Sequence, residues 1–352
     1  MSNLYRPVTI QCPLANDESS IKLEGNLFLA PVAGYSDRAF RALCVDGGAN
    51  FTYTEMVSSE ALVRGSDKTE CIMLRAENEQ KYAVQIFGGD PETMANSIPL
   101  ILEKADPDVI DINCGCPVHK VVKTGAGSSL TRAPEQLFKV VNAVVKSALE
   151  APNYNSSYKN PIPVTVKIRS GWDSNNITWK EAALAAKEAG AGAITIHPRT
   201  RAQGYEGFSD WQILSELVEL MQKQENPIPV FGSGDIFTPE AARDMLTQTK
   251  CDGIMFARGA MGAPFVFQQT KDLLEKGSYE AIPFETSILA GLKELRILCV
   301  DKGESIACRE MRKRFCAYTK GIEGGGVLRK DIVRAETIQD YDNIFNSLLS
   351  KS

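Results

Sequence analysis

The chain has 352 residues, of which 43% are hydrophobic and 24% are charged, a composition typical of a soluble globular protein. This length exceeds one small domain and fits a large α/β domain of about 250 residues with a smaller second domain. No apolar run approaches the roughly 20 residues of a membrane helix, and residues 1–6 lack the pattern of a secretion signal. We therefore expect a cytoplasmic protein without a membrane partner.

Nine cysteines without a C-x-x-C pair indicate neither a zinc site nor a disulfide framework, so we expect no metal. The net charge of −5 argues against a generally basic nucleic-acid binder, but it averages over the chain and does not exclude a local basic surface. The sequence indicates no obligate protein partner.

Short apolar and β-branched runs alternate with longer stretches of helical spacing as far as Phe267. The predicted strands are Leu27–Pro31, Phe51–Glu55, Tyr82–Phe87, Val109–Asn113, Val164–Arg169, Ala193–His197, Ile228–Gly232 and Gly253–Ala257. The predicted helices are Asp37–Cys44, Pro91–Glu103, Pro134–Ala148, Trp179–Ala189, Asp210–Gln222 and Pro239–Leu246. This alternation is typical of parallel βαβ units buried on both faces. Eight such strands predict a TIM (β/α)8 barrel, although an open doubly wound sheet has the same alternation.

Beyond Phe267 the pattern changes to helices without a predicted strand, after a linker-like segment at Lys276–Pro283. We therefore divide the chain into a barrel domain, residues 1–275, and a C-terminal all-α helical domain, residues 276–352. Between Lys302 and Arg334, nine Lys or Arg stand against four acidic residues, so the rest of the chain is net acidic. This concentration of positive charge predicts an anionic partner, although a solvated helix face would show the same run.

Polar side chains occur at the carboxyl ends of the predicted strands, where the active sites of TIM barrels lie. They are Gln85, Asn113, Cys116, Lys167, Arg169, His197 and Arg199. Burying such groups without partners is costly, so together they predict a polar pocket. The first strand ends in Ala30–Gly34, whose small side chains let a ligand approach the backbone closely.

Glycine-rich segments follow the last two strands, at Gly232–Asp235 and Ala257–Gly262. TIM barrels commonly bind phosphate at this place through backbone N–H groups, and Arg258 adds a positive charge. Together with Gln85 and Lys167, a phosphate site here would suit flavin mononucleotide (FMN). A cation near the pyrimidine side of the flavin ring stabilises its anionic reduced form, and we expect Lys167 to have that role.

Cys116 stands in a loop between Gly115 and Pro117, so we expect it at the barrel mouth. With an unperturbed pKa of about 8.5, a thiol there stays mostly protonated at neutral pH and can donate to a carbon that accepts a hydride. The residues alone permit this role and leave a buried, inert thiol as the alternative. Cys114, two positions earlier, is interpreted as a small buried residue.

Six segments together resemble the tRNA-dihydrouridine synthase family, and the resemblance covers the chain from about Leu27 to Ile332. The segments are Ala30–Arg41, Asp111–Val118, Gly125–Leu130, Val166–Arg169, His197–Gln203 and Gly253–Ala260. The resemblance implies an FMN-binding barrel and a helical tRNA-binding domain. It implies reduction of the C5–C6 double bond of selected uridines in tRNA to 5,6-dihydrouridine, with NADPH or NADH as reductant.

The resemblance also implies roles for individual residues. Cys116 is the catalytic residue, which gives a proton to uracil C5 while flavin N5 passes a hydride to C6. The implied cofactor-binding residues are Pro31, Val32, Ala33, Gln85, Lys167, His197, Ser233, Asp235, Ala257 and Arg258. The implied substrate-binding residues are Asn113 and Arg199 at the base, and Arg312, Lys313 and Arg314 on the tRNA.

Four positions depart from the family pattern. Pro198 replaces a glycine and predicts an altered backbone before Arg199, because proline fixes φ and removes an N–H. Cys114 replaces methionine, His119 replaces lysine, and Ser233 replaces asparagine with a shorter hydrogen-bonding group.

Two alternatives remain open. An FMN barrel similar to dihydroorotate dehydrogenase, acting on a free pyrimidine, would share Lys167 and the phosphate site but would leave the basic C-terminal region unexplained. The other is a tRNA-binding or chaperone module that has kept the fold and lost catalysis, which a purified protein without flavin absorbance after addition of FMN would support.

Overall fold

Eight parallel strands close into a barrel in this computed structural model, which describes residues 4–15, 19–151, 161–322 and 325–349. The strands are β1 (Val8–Gln11), β2 (Ser20–Leu23), β3 (Leu27–Leu29), β4 (Phe51–Tyr53), β5 (Val57–Ser58), β6 (Tyr82–Phe87), β7 (Val109–Cys114), β8 (Val164–Asp173), β9 (Asn176–Ile177), β10 (Ala193–Thr200), β11 (Val230–Ser233) and β12 (Gly253–Phe256). The ring runs through β3, β4, β6, β7, β8, β10, β11 and β12. Because β12 pairs with β3 and β8 pairs with β10, the TIM barrel is confirmed and the open doubly wound sheet is excluded.

The barrel strands place alternate side chains inside and outside the ring, as the period of two in an extended chain requires. In β7, Ile110, Ile112 and Cys114 pack outward among the side chains of the surrounding helices. Asp111 and Asn113 lie on the other face, where they bond to Gln85 of β6. Helices cover the outside and side chains fill the inside, which explains the nearly continuous apolar strands.

Helices follow most of the barrel strands and pack against their outer face, and further helices form the C-terminal part of the chain. The helices are α1 (Arg38–Asp46), α2 (Ser59–Val63), α3 (Asp67–Met73), α4 (Pro91–Ala105), α5 (His119–Val122), α6 (Ser128–Arg132), α7 (Pro134–Glu150), α8 (Trp179–Glu188), α9 (Trp211–Gln222), α10 (Pro239–Thr249), α11 (Val266–Lys276), α12 (Phe284–Lys302), α13 (Glu304–Tyr318), α14 (Gly325–Ile332) and α15 (Ile338–Leu349). The six helices that the sequence predicts correspond to α1, α4, α7, α8, α9 and α10. The sequence does not predict α2, α3, α5 and α6, because one or two turns are too short to display helical periodicity. It also does not predict α11, although that helix has eleven residues.

An antiparallel pair of strands, β1 and β2, packs against the amino-terminal end of the barrel. Its buried residues join Phe28 and Phe231 in one apolar cluster inside the ring. This pair is not among the predicted strands, although Val8–Gln11 alternates buried apolar with exposed polar residues, the pattern of a half-buried strand.

The C-terminal helices α12 to α15 pack around their own apolar cluster, which includes Leu295, Met311 and Phe315. Ala39 and Leu43 of α1 belong to the same cluster, so this helix of the barrel packs directly against the C-terminal helices. The all-α character of this portion is confirmed.

A buried ion network crosses the contact between α1 and the C-terminal helices. The guanidinium of Arg314 in α13 donates to Asp37, the N-cap of α1, at 2.6 Å, and it also donates to Glu294 of α12. Tyr318 donates its hydroxyl to Glu294 at 2.7 Å. Every charge in this network has an opposite charge beside it, which buried ions need.

Within the described ranges, no helix combines the length and apolar character that crossing a bilayer requires. Two sequence interpretations fall outside these ranges, namely the lack of a signal pattern at residues 1–3 and the charge of Glu323.

Candidate active site

A cavity of about 520 Å3 opens at the carboxyl ends of the barrel strands. Its lining includes thirteen of the residues that the sequence proposes for the site, namely Pro31, Val32, Ala33, Gln85, Asn113, Cys116, Lys167, His197, Ser233, Asp235, Ala257, Arg258 and Lys313. Arg199, Arg312 and Arg314 do not line it. The polar strand ends therefore converge on one cavity, as the barrel topology predicts.

The loop at 115–118, which carries Cys116, is held from two sides. Asn113 Oδ1 accepts hydrogen bonds from the backbone N–H groups of Gly115, at 3.1 Å, and Cys116, at 2.8 Å. Ser128 donates its hydroxyl to the Cys116 carbonyl at 2.6 Å and its backbone N–H at 3.0 Å. Gly127 approaches so closely that a Cβ there would lie 2.7 Å from the same carbonyl.

The two cysteines of this segment have different environments. Cys114 is fully buried on the outer face of β7, which confirms its interpretation as a packing residue. Cys116 is partly exposed and lines the cavity. Burial raises the pKa of the Cys116 thiol, and the Val118 N–H and the charge of Arg169 oppose this rise without cancelling it. The thiol is therefore protonated at neutral pH, as a proton donor must be.

Lys167 enters the cavity from β8, in register with Asn113 on β7. Its ammonium has no hydrogen-bond or salt-bridge partner in the part of the chain that the structure describes. Burial, together with the charge of Arg169, lowers the pKa of Lys167 to about 8, although the charge of Asp111 opposes both. The ammonium is thus available as a hydrogen-bond donor to a ligand in the cavity.

His197 lines the cavity and Arg199 lies behind it on the same strand, β10. Arg199 Nη1 is 3.3 Å from His197 Nε2, and a guanidinium can only donate, so Nε2 accepts and the ring proton resides on Nδ1. Burial, reinforced by nearby cations of which Lys167 is the strongest, lowers the pKa of His197 to about 2. The imidazole is therefore neutral and cannot serve as the acid.

The structure gives Arg199 a different place from the base contact that the sequence predicts. Its side chain is only 2% exposed, and it donates to both carboxylate oxygens of Asp235, at 2.9 and 2.8 Å, and to the Gly207 carbonyl at 2.6 Å. We correct the assignment, because a guanidinium with these partners supports the wall and does not reach a base. The pairing of β10 with β8 shifts register between His197 and Thr200, which accommodates the missing N–H of Pro198.

The ends of β11 and β12 form a cradle of small residues, Ser233, Gly234 and Ala257, followed by a single 3-10 turn at Arg258–Ala260. A Cβ at Gly234 would lie 2.3 Å from the Ser209 hydroxyl oxygen, so this turn requires glycine. Uncovered backbone N–H groups beside a short helix start are typical of anion sites.

Arg258 adds positive charge to this cradle. Its guanidinium lies 4.6 Å from the ring centroid of Tyr205 and 5.1 Å from that of Phe237, which hold it at the cavity rim. The Asp235 carboxylate is already engaged by Arg199, by the Ser209 N–H at 2.8 Å and by Arg258 at 3.5 Å. Burial would raise the pKa of Asp235, but these partners outweigh it and lower the pKa. We therefore expect Asp235 to face an anion through its backbone and not through its carboxylate.

The three consecutive basic residues of α13 point in different directions, because each helical residue is rotated by about 100° from the one before. Lys313 lines the cavity, with its ammonium 4.2 Å from the ring centroid of Tyr35. Arg312 donates to the Ala335 carbonyl at 2.9 Å. Arg314 is 2% exposed and paired with acids, so we correct its predicted contact with tRNA to an internal structural contact.

The cavity also has lining residues to which the sequence assigns no individual role, although Arg169 is expected among the polar strand ends. They are Tyr35, Met56, Arg169, Tyr205, Phe237 and Met261, among others. Arg169 donates to the carbonyls of Gly115 at 2.8 Å, Thr200 at 2.8 Å and Gly204 at 3.1 Å, and so ties two rim loops together. Its spacing of two residues from Lys167 on one strand is a signal that both face the same side.

Comparison with known proteins identifies close relatives. A family model described as Dihydrouridine synthase (Dus) matches residues 28–350. A "Probable tRNA-dihydrouridine synthase" from Treponema pallidum (strain Nichols) is 49% identical over 338 residues, which are 96% of this chain and 95% of that protein. The tRNA-dihydrouridine synthase B from Pasteurella multocida (strain Pm70) is 35% identical over 316 residues, covering 88% and 89% of the two chains.

Solved structures share the fold at low identity. A DHODH from Eimeria tenella in complex with ferulenol has a TM-score of 0.53 at 14% identity, over 73% of this chain and 82% of that one. Histamine dehydrogenase from Rhizobium sp. 4-9 has a TM-score of 0.53 at 13% identity, over 84% and 51%. These structures support the barrel fold alone, whereas the sequence relatives and the family match confirm the resemblance seen in the motifs. The chain belongs to the dihydrouridine synthase family.

Proposed function

We propose that this protein is a tRNA-dihydrouridine synthase, an oxidoreductase that acts in the cytoplasm on the C5–C6 double bond of uridines in tRNA. The proposed product is 5,6-dihydrouridine, the proposed cofactor is FMN, and the proposed reductant is NADPH or NADH. The observation that carries the proposal is that one cavity holds the Cys116 thiol, the cradle at Ser233 and Arg258, and the Lys167 ammonium, which has no partner among the described residues.

The residues of this cavity fit FMN. Lys167 and the amide of Gln85 offer donors for the polar edge of a flavin ring, and the cradle at Ser233 with Arg258 offers donors for a phosphate. Pro31 and Val32 give a wall with no competing side-chain donors. FMN bound here and reduced by NADPH would supply the hydride for uracil C6.

Cys116 supplies the proton in this proposal. Its thiol keeps the proton on Sγ at neutral pH, because burial raises its pKa, and it transfers that proton to uracil C5. Asn113 and Arg169 hold the Cys116 loop, and His197, neutral at this pH, is available as a hydrogen-bonding partner. A neutral imidazole is a very weak acid, so His197 does not compete with the Cys116 thiol as proton donor in this proposal.

A uridine in folded tRNA must leave its stack to reach this cavity. Lys313 is the basic residue of α13 at the cavity rim, so we propose that it contacts the phosphate of the splayed nucleotide. Arg312, which is partly exposed, and the exposed Lys and Arg residues between Lys302 and Arg334 would bind tRNA farther from the mouth. In this view the helical domain, residues 276–352, orients the tRNA and the barrel domain, residues 1–275, reduces it.

The test of the proposal is Cys116→Ala, with Cys114→Ala as the matched control. We expect the first variant to bind FMN and tRNA and to oxidise NADPH, while dihydrouridine formation falls by about 100-fold or more, as for loss of a general acid. Cys114→Ala should keep normal turnover, since that thiol packs outside the barrel. Dihydrouridine in purified tRNA is measured by mass spectrometry of its nucleosides.

Two results would overturn the proposal. Normal product formation by Cys116→Ala would remove the thiol from the proton-donor role. Turnover of free uridine monophosphate as fast as that of tRNA would favour the barrel that acts on a free pyrimidine, and a wild-type protein without yellow flavin absorbance after addition of FMN would favour a binding protein.

A further inference from the structure

The carboxylate of Asp111 lies inside the barrel, one layer below the cavity, and has no role in the chemistry proposed so far. It is 0% exposed and stands in register between Gln85 of β6 and Thr165 of β8. Its Oδ2 accepts from Gln85 Nε2 at 2.6 Å, and its Oδ1 accepts from the Thr165 hydroxyl at 2.6 Å. Burial raises the pKa of Asp111 to about 6, although both hydrogen bonds and the charge of Lys167 oppose it. An ionised carboxylate at this position thus destabilises the fold. Stability therefore does not explain why an aspartate stands here.

The hydrogen bonds around Asp111 determine the orientation of two side-chain amides. An amide has one accepting and one donating end of nearly equal shape, so its hydrogen-bond partners decide which way it points. Gln85 turns Nε2 toward Asp111, because an ionised carboxylate only accepts. Gln85 Oε1 is thereby turned to Asn113 and accepts from its Nδ2 at 2.8 Å.

The same constraint continues to the Cys116 loop. With its Nδ2 committed to Gln85, Asn113 must present Oδ1 to the loop. There Oδ1 accepts the N–H groups of Gly115 and Cys116. Hydrogen bonds therefore connect Asp111 through Gln85 and Asn113 to the backbone of Gly115 and Cys116, and the first of them fixes the direction of those that follow.

We propose that Asp111 is a positioning residue, which fixes both the Cys116 loop and the donors at the cavity floor through the amides of Gln85 and Asn113. This inference rests on the proposed function, because it assumes that flavin and uracil share this cavity. The second N–H of Gln85 has no partner among the described residues, and that of Asn113 contacts only the Met56 thioether at 3.9 Å. The floor therefore presents N–H donors, complementary to the carbonyl oxygens of a flavin or a uracil.

The test compares three full-length proteins with the wild type. Asp111→Leu removes the acceptor that orients both amides. The double variant Asp111→Asn/Gln85→Glu exchanges carboxylate and amide, so that position 85 still accepts from Asn113 but no longer offers an N–H to the cavity. Asp108→Leu is the matched control, since Asp108 is also 0% exposed, just before β7, and accepts from Arg75 at 3.0 Å and from the Tyr82 N–H at 2.9 Å, away from the cavity.

Two readouts are independent of turnover. The first is the rate of Cys116 alkylation by iodoacetamide, followed by peptide mass spectrometry, and the second is FMN affinity, measured by quenching of flavin fluorescence. We expect Asp111→Leu to alkylate at least about threefold faster and to bind FMN about tenfold more weakly, as for loss of a buried hydrogen bond. The exchange variant should keep the wild-type alkylation rate and lose FMN affinity by about the same factor. Asp108→Leu should change stability and neither readout.

The outcomes separate this inference from the proposed function. A wild type that binds no FMN would refute the proposed function, and the positioning role with it. A wild type that binds FMN, together with an exchange variant whose alkylation rate changes as much as that of Asp111→Leu, would overturn the positioning role alone. If Asp111→Leu does not fold, Asp111→Ala takes its place, because it also removes the acceptor that orients Gln85. An alkylation rate equal to that of the wild type in the folded variant would overturn the positioning role.

Discussion

At its amino-terminal end the barrel is filled by packed aromatic rings, whereas at its carboxyl end it is lined by amides, cations and a thiol. In the first region Phe28 meets Phe51 and Phe231 edge to face, with centroids 6.1 and 5.0 Å apart, and β1 and β2 cover them. In the second region Lys167 and Asp111 have pKa values displaced by burial. One end therefore stabilises the fold, and the other retains groups that destabilise it and are suited to binding a ligand.

The largest effect is expected from Phe51→Ala, which removes one of the packed rings at the amino-terminal end of the barrel. The ring is buried, and β4 contributes no predicted cofactor contact, so we expect a loss of about 3–5 kcal/mol in the free energy of unfolding. Urea denaturation measures this loss. FMN affinity of the folded protein should stay within about twofold of wild type. If affinity falls in step with stability, the two ends do not act separately.

An intermediate effect is expected from Lys167→Met, which removes a cation from the cavity at the carboxyl end of the barrel. FMN affinity should fall by about 10- to 100-fold, because the charged donor at the ring is lost, while stability at neutral pH should not decrease. The folded pKa of about 8 lies below the unfolded value, which is about 10.4. Between these values the unfolded chain binds more protons, so the stability of wild-type apoprotein should rise with pH from about 8 to about 10.4.

Urea denaturation of the apoprotein across this pH range checks the second half of that prediction. The slope should be smaller in Lys167→Met and unchanged in Lys180→Met, a surface control whose side chain is 57% exposed. A steep slope that survives in Lys167→Met would assign the titration to another group.

The smallest effect is expected from Lys313→Ala, which removes a positive charge from the cavity rim. The KM for tRNA should rise by about three- to tenfold, and the salt dependence of tRNA binding should weaken by about one charge. FMN affinity should stay the same. The control is Lys276→Ala. Its side chain is 67% exposed and lies at the C-terminal end of α11, which runs back toward the amino-terminal end of the barrel. An equal effect of both substitutions would indicate that tRNA binding depends on charge alone.

The sequence predicts the barrel well because its strands are short, apolar and regularly spaced. All eight predicted strands exist, although β8 and β10 continue past Arg169 and His197 as far as Asp173 and Thr200. Apart from α11, the missed elements are short or only half apolar, such as β5 with two residues. Their stability comes from neighbours in space, which local sequence patterns do not report.

The site is predictable only in part, since a motif names residues without giving their partners. Lys167 and Asn113 are found from their places at strand ends, and both line the cavity. Arg199 and Arg314 carry the same charge as cavity residues, but each is turned away by a carboxylate distant in sequence, Asp235 or Asp37. Such pairings depend on the three-dimensional arrangement of strands and helices.

The network of Asp37, Arg314 and Glu294 limits how this enzyme can be recombined with its relatives. Asp37 caps α1 five residues after Val32, which lines the cavity, and it is also an ion partner of the C-terminal helices. A chimaera that takes the barrel from one protein and the helices from another must therefore transfer these three residues as a set. A mismatched junction would leave a charge buried without its counterion beside the active site.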